Sequence, residues 1–294
     1  MTSQGTYSAQ VSRENPACVL FLIDRSNSMN GPSPNLGSTK KEALADAINR
    51  LLYNLVVRCA RDEGVRHYFD VGIIAYSDGF PGAFVGPALE GTLAGRDLVP
   101  IGEVADNPVR VDDRTRTVSD GAGGTYQESF KMPIWFDAVG NGNTPMIAAL
   151  RYAYGVADRY LASHPNCFPP TVFNITDGEA TDGSPEEVLE AMRTLTGLAS
   201  SDGNVLLYNL HLSSNGLAFP VAFPNSDEAL PDKYARALFN GASELYPDFR
   251  STLEKEGMHI LEGARGFVLN GDMVTVIKVM DVGTRVAAPI EAPL

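Results

Sequence analysis

Cysteine and histidine are scarce in this 294-residue chain, and basic residues are outnumbered by acidic ones. The three cysteines, Cys18, Cys59 and Cys167, are odd in number and widely spaced, with no CxxC pair. That excludes a disulfide framework and a thiolate metal knuckle, and leaves buried thiols as the expected state. The four histidines, His67, His164, His211 and His259, show no HExxH spacing, so the zinc-peptidase signature is missing. Lys and Arg number 23 against 36 Asp and Glu, a formal net charge of −13. Such a chain repels phosphate backbones and anionic headgroups, which disfavours nucleic-acid scaffolding, and it is comfortable with cations. No run approaches the ~18 apolar residues of a membrane span. The polar stretch before Ala17 also lacks the apolar core of a secretion signal. The expectation is a soluble, cytoplasmic protein.

What is present has globular composition: 44% hydrophobic and 20% charged residues exclude a disordered chain, a fibre and a coiled coil. Strand and helix signals alternate, which predicts an α/β fold with a doubly wound, mostly parallel sheet and helices on both faces. The runs Cys18–Ile23, Asp70–Tyr76, Thr171–Thr176 and Asn204–Leu212 are continuously apolar, as strands buried on both faces should be. Gly266–Leu269 reads as a last strand before a helix beginning near Asp272. The Asn174-Ile175-Thr176 sequon falls inside one of these strands and is discounted as a glycosylation site.

Helical periodicity is clear at Leu44, Ile48, Leu51, Leu52 and Leu55, preceded by a Thr39/Glu42 capping box. A second stripe runs through Met146, Leu150, Ala153, Ala157 and Leu161, with Thr144 as expected cap and Pro145 as expected first residue. Ser184-Pro185-Glu186-Glu187 starts a third helix, and Pro231–Phe239 and Asp248–Glu256 read as shorter ones. Residues 80–136, rich in Gly, Pro and β-formers, read as an irregular insertion with one or more hairpins. The expected layout is a polar segment over 1–16, one domain over 17–286 and a tail over 287–294.

The first strand ends in Asp24-Arg25-Ser26-Asn27-Ser28. A carboxylate with hydroxyls two and four residues later offers three oxygen donors from one turn, hard ligands of the kind Mg²⁺ takes. Taken alone, the same residues read equally well as helix caps. Gly142-Asn143-Thr144-Pro145 adds a hydroxyl at a helix start, and Thr176-Asp177-Gly178-Glu179 a carboxylate after a central strand. An alternating fold brings these strand ends to one edge of the sheet, where open α/β sheets bind ligands.

In these residues the chain resembles the von Willebrand factor type A domain family. Its metal-ion-dependent adhesion site follows the pattern Asp-x-Ser-x-Ser, then a Thr, then an Asp. Asp24, Ser26, Ser28, Thr144 and Asp177 match that pattern position by position. The resemblance implies a Rossmann-like fold holding Mg²⁺, or Mn²⁺ or Ca²⁺. It implies direct or water-mediated approach of the three hydroxyls, with charge supplied by the two carboxylates mainly through water. It further implies a protein partner whose Asp or Glu completes the coordination. The insertion and the region after Leu212 look more like stand-alone cytosolic bacterial members than integrin-type ectodomains. Some such members belong to stress-response modules with a kinase and a phosphatase.

Two classes of function compete. One is a metal-dependent binding module acting as adaptor or regulator, not an enzyme. The other is a metal-dependent phosphoesterase using the same site. Neither Ser26 nor Ser28 lies in a G-x-S-x-G elbow, no histidine is near them in sequence, and no general base stands out. Gly121–Gly124 lacks the Lys-Ser/Thr of a phosphate-binding loop and reads as a hairpin turn. Around the expected ligands, Asn27 reads as bonding backbone within the turn and Met29 as an apolar lip on the site. Glu179 and Asp182 read as exposed loop acids that could tune it.

Overall fold

The computed structural model describes residues 5–33, 37–79, 82–119, 121, 123–212 and 220–287. Its centre is β1 (Ala17–Asp24), every residue of which is buried. Alternate side chains serve two cores. Val19, Phe21 and Ile23 join one hydrophobic cluster, and Cys18, Leu20 and Leu22 join the other. That period-2 division shows why the sequence run is continuously apolar: both faces of the strand are covered.

Beside β1 lie β4 (Phe69–Ser77) on one side and β9 (Thr171–Thr176) on the other, both parallel to it. β10 (Leu206–Leu212) and β12 (Phe267–Gly271) continue the parallel array beyond β9. Short antiparallel strands finish the edges: β5 (Phe84–Pro87) and β6 (Val99–Pro100) against β4, and β11 (Val221–Ala222) against β12. The eight-stranded sheet runs β11-β12-β10-β9-β1-β4-β5, with β6 also on β4.

Helices cover both faces. α1 (Lys40–Cys59), α6 (Pro247–Lys255) and α7 (Met273–Ala287) share the first cluster through Ile48, Phe249 and Met280. α3 (Met146–Ser163), α4 (Pro185–Thr196) and α5 (Lys233–Gly241) share the second through Leu150, Met192 and Leu238. The capping box expected at α1 is formed, and the helix start expected at Ser184-Pro185 proves to carry one as well. Thr39 N donates to Glu42 Oε2 at 2.9 Å, and Ser184 N to Glu187 Oε2 at 2.7 Å. The three cysteines are buried and unpaired with one another, and burial pushes the Cys59 thiol up to about 11 and that of Cys167 to about 12. At neutral pH these are inert thiols. Among the described residues no helix is long and apolar enough to cross a membrane.

The insertion divides into two parts. One supplies β5, β6 and the short α2 (Ile101–Asp106), and so completes the sheet edge. The other is a ten-pair antiparallel ladder, β7 (Arg110–Ser119) on β8 (Thr125–Ile134), standing outside the main sheet. A second hairpin, β2 (Ala60–Arg61) on β3 (Gly64–Val65), follows α1. The polar residues ahead of β1 are docked on the body. Asp202, itself buried, accepts from Thr6 Oγ1 at 2.6 Å and from the amides of Ser8 and Ala9 at 3.0 Å, and Tyr7 stacks on Tyr246. The loop after β10 and the last residues of the chain lie partly outside the described residues, over 213–219 and 288–294.

The base of the ladder is fixed by polar bonds inside the core. Trp135, fully buried, donates its Nε1 proton to Val104 O at 2.6 Å. Asn49, in the middle of α1, accepts from Trp135 N at 2.8 Å and donates to Phe136 O at 3.1 Å. Replacing Asn49 with Ala strands that amide and carbonyl away from water. It should cost about 2–4 kcal/mol of stability, read as a lower urea midpoint with an unchanged slope. A loss under ~0.5 kcal/mol would show that Asn49 does not anchor the insertion.

Candidate metal centre

The order of the strands decides where a ligand can sit. From β1 the chain passes to β4 on one side and then returns to β9 on the other, so the switch point lies between β1 and β9. The crevice beyond the carboxyl ends of those two strands is the expected binding place in an open α/β sheet. Asp24 is the last residue of β1, one step beyond Ile23, and Asp177 is the first after β9, two steps beyond its paired Ile175.

Asp24 is 1% exposed, and both its oxygens are held: Ser26 N donates to Oδ1 at 2.8 Å and Thr176 Oγ1 to Oδ2 at 2.6 Å. These bonds bend the chain back, so that the Ser26 and Ser28 hydroxyls lie 2.8 Å apart. Ser28 Oγ donates to Asp177 Oδ1 at 2.5 Å, closing a chain of contacts from one carboxylate to the other. Thr144, buried on the second loop, joins them. A Cβ placed on Gly178 would lie 3.7 Å from Thr144 Oγ1 and 3.9 Å from Ser28 Oγ, so both hydroxyls face one small space. The structure therefore brings together Asp24, Ser26, Ser28, Thr144 and Asp177. Ser28 is the solvent-exposed member.

Backbone bonds lock the three loops to one another. Asn27 N donates to Gly142 O at 2.8 Å, Asn141 N to Arg25 O at 2.6 Å, and Thr181 N to Thr144 O at 2.9 Å. Gly142 has φ +75°, and a Cβ there would lie 2.0 Å from Gly79 N, so the second loop requires glycine at this point. Asp78 steadies the same loop by accepting from Asn143 N at 2.6 Å.

Two carboxylates and three hydroxyls form an all-oxygen donor set, which fits a hard dication such as Mg²⁺, Mn²⁺ or Ca²⁺. Among the described residues no group of three or more His, Cys, Asp or Glu could hold a metal, so the hydroxyls are essential to any such site. Burial pushes the Asp24 carboxyl up to about 6; its bonds to Thr176 and Ser26 oppose the rise, and the charge of Asp177 adds to it. The site is thus short of positive charge, and the chain itself supplies some. Lys40 Nζ pairs with Asp177 Oδ2, the two side chains being 3% and 0% exposed.

Sequence reasoning missed Lys40, which reads only as the first residue of a helix. A signal was available: the N-terminal turn is the positive end of the helix dipole, a poor place for an ammonium without an anionic partner. His211, which the sequence shows only as one of four scattered histidines, also lies near the site. The structure places His211 beside Thr176 in the strand register, half-buried, with Asn270 N donating to its Nδ1 at 3.4 Å. Burial lowers its pKa, more strongly than the nearby Asp177 raises it.

Three expectations about the surroundings need correction. Helix α3 begins at Met146, with Pro145 in the capping position, and Thr144 does not cap it. Asp182, an exposed loop acid as expected, does, accepting from Ile147 N at 3.1 Å and Ala148 N at 2.9 Å. Met29 is fully buried in the core, because the turn after Ser28 points it under the loop, and it is no lip on the site. Asn27 uses its backbone amide, and its side chain is exposed.

The fold and site define an open, doubly wound α/β protein with an oxygen-lined crevice at its switch point. No protein-family profile matches the chain, nor does any curated protein sequence. Solved structures similar to it include a von Willebrand factor type A protein from Catenulispora acidiphila, 17% identical with a TM-score of 0.38, covering 66% of this chain and 33% of that one. The SpRpn10 VWA domain is 12% identical with a TM-score of 0.35, covering 67% and 75%. The manganese-loaded TRAP protein of Plasmodium vivax is 16% identical with a TM-score of 0.31, covering 68% and 59%. This chain thus spans a third of the length of the Catenulispora protein and under two thirds of the Plasmodium one.

The division of labour between Thr144 and Asp182 is testable in stability alone. Asp182→Ala should cost about 1–2 kcal/mol as α3 loses its cap, whereas Thr144→Ala should stay within about 0.5 kcal/mol of wild type. Urea denaturation of the two variants checks this. Equal losses would return the capping role to Thr144.

Proposed function

We propose that this protein is a metal-dependent protein-binding module, an adaptor or regulator rather than an enzyme. Asp24, Ser26, Ser28, Thr144 and Asp177 would hold a divalent cation, Mg²⁺ first, with Mn²⁺ or Ca²⁺ as alternatives. An Asp or Glu carboxylate from a partner protein would complete its coordination. The observation that carries this reading is the convergence of three hydroxyls on two buried carboxylates at the switch point, with Ser28 open to solvent. When bound, the cation supplies a hard Lewis-acidic position that a carboxylate can ligate directly.

The electrostatics favour an acidic partner. Two carboxylates offset a dication, and the nearby Lys40 ammonium leaves the group net positive, so an incoming carboxylate is attracted. Hydroxyls add ligands without adding negative charge. Hydrolysis finds less support: the Ser26 and Ser28 hydroxyls bond each other and Asp177 rather than a histidine, so neither serine has the imidazole partner of a Ser-His nucleophile.

The experiment is a melting series in EDTA and in millimolar Mg²⁺, Mn²⁺ and Ca²⁺. At a hundred times its dissociation constant a bound ion adds about 2.7 kcal/mol, a rise of a few degrees in a chain this long. Asp24→Asn should abolish the response. In EDTA at neutral pH it should melt no lower than wild type, since it removes a buried charge that costs about 3 kcal/mol at a carboxyl held up to about 6. That advantage should shrink below pH 6, where the native Asp24 takes up a proton more readily than the unfolded chain does. A wild type indifferent to every divalent ion would overturn the proposal. A partner captured in Mg²⁺ should be released by EDTA and lost in Thr144→Ala.

A further inference from the structure

We infer that Lys40 is a tethered competitor for the cation: its ammonium holds Asp177 and must leave that carboxylate before Asp177 can serve a divalent ion. The inference rests on the metal-binding reading above. Three observations carry it. Lysine is almost never fully buried unless paired, yet the Lys40 side chain is 3% exposed and its ammonium lies on Asp177 Oδ2. It is also the first residue of α1, where the exposed amides make the helix end positive and oppose a cation. A charge kept both out of water and at the unfavourable helix end is there for its partner, and its partner is one of the five candidate ligands.

The third observation is how firmly the lysine is aimed. Its amide donates to Gly31 O at 2.9 Å, pinning the start of α1 to the end of the turn that carries Ser26 and Ser28. A Cβ on Gly31 would meet Lys40 Cε at 3.5 Å and Nζ at 3.8 Å, so the side chain runs along that turn to reach Asp177. With Ser28 Oγ on Oδ1 and Lys40 on Oδ2, both oxygens of Asp177 are engaged by the chain itself. A dication must replace the ammonium at Oδ2 and then tolerate a like charge beside it in a buried setting, where charge repulsion is poorly screened. Lys40 therefore offsets one of the two carboxylate charges while no ion is bound, and it raises the ion concentration needed to load the site.

The test is a calorimetric titration of wild type, Lys40→Gln and Lys40→Arg with Mn²⁺ alone, together with melting of each in EDTA. Lys40→Gln should bind Mn²⁺ about tenfold or more tightly than wild type. It should melt lower in EDTA, and saturating Mn²⁺ should close most of that gap. Lys40→Arg, which keeps the charge, should bind no more tightly than wild type. Lys40→Met preserves the stem's packing and carries the test if Lys40→Gln does not fold. Equal or weaker binding by the neutral variants, with wild type binding, overturns the competitor role and leaves the metal site standing. Binding by the neutral variants alone supports the competitor role and overturns metal dependence in the natural chain. Binding by none of the proteins overturns both.

Discussion

Two carboxylates are held out of water where β1 and β9 end side by side, and much of the surrounding structure is arranged to compensate for them. Asp24 closes a strand with no solvent on either face, and its oxygens are held by Ser26 N and the Thr176 hydroxyl. Asp177 is answered by Ser28 and Lys40. Burial of an ionised carboxyl is costly unless it is paired or hydrogen-bonded, and here Asp24 is hydrogen-bonded by Ser26 and Thr176, while Asp177 is hydrogen-bonded by Ser28 and ion-paired with Lys40. The first loop, the start of α1 and the end of β9 are consequently bound into one unit.

That unit depends on the sheet beneath it. β1 and β9 run parallel and in register, which sets their carboxyl ends level, and the crossing from β4 back to β9 opens the crevice between them. The second loop cannot drift, because Gly142 O and the Arg25 carbonyl tie it to the first loop, and Asp182 ties the third loop to α3. A site made of hydroxyls needs such rigidity. A neutral oxygen contributes little charge to a metal, so its value lies in being already placed. The anchoring of the insertion by Asn49 and Trp135 extends the same logic to the flank of the site, since Phe136 next to it packs under Arg25.

Much of this was legible in the chain. The continuous apolar runs located four central strands to within two residues, because burial on both faces removes polar alternation. The Thr39/Glu42 box and the Ser184-Pro185 start signal marked two helix starts to the residue, since capping is settled by near neighbours in the chain. The five candidate ligands were picked out by their order at the strand ends together with the resemblance of their spacing to the type A domain pattern. Less legible were the features that depend on partners distant in sequence. Thr144-Pro145 has the look of a helix start, but Asp182, 35 residues from Ile147, takes the cap. Met29 follows the ligands in sequence yet turns into the core.

The sequence by itself determined the class of fold, the positions of its main elements and which candidate oxygen donors stand at the strand ends, because periodicity, capping and strand-end placement are local. Tertiary structure alone decided the electrostatic state of those donors. Between Lys40 and Asp177 in chain order lie β4, β5, β6 and β9, and only the folded chain, with the start of α1 tied to Gly31, brings them together. Likewise the raised pKa of Asp24 comes from burial that no single strand provides. Charge and solvation are set by everything within several ångströms, whatever its place in the chain, and so they emerge only once the chain is folded.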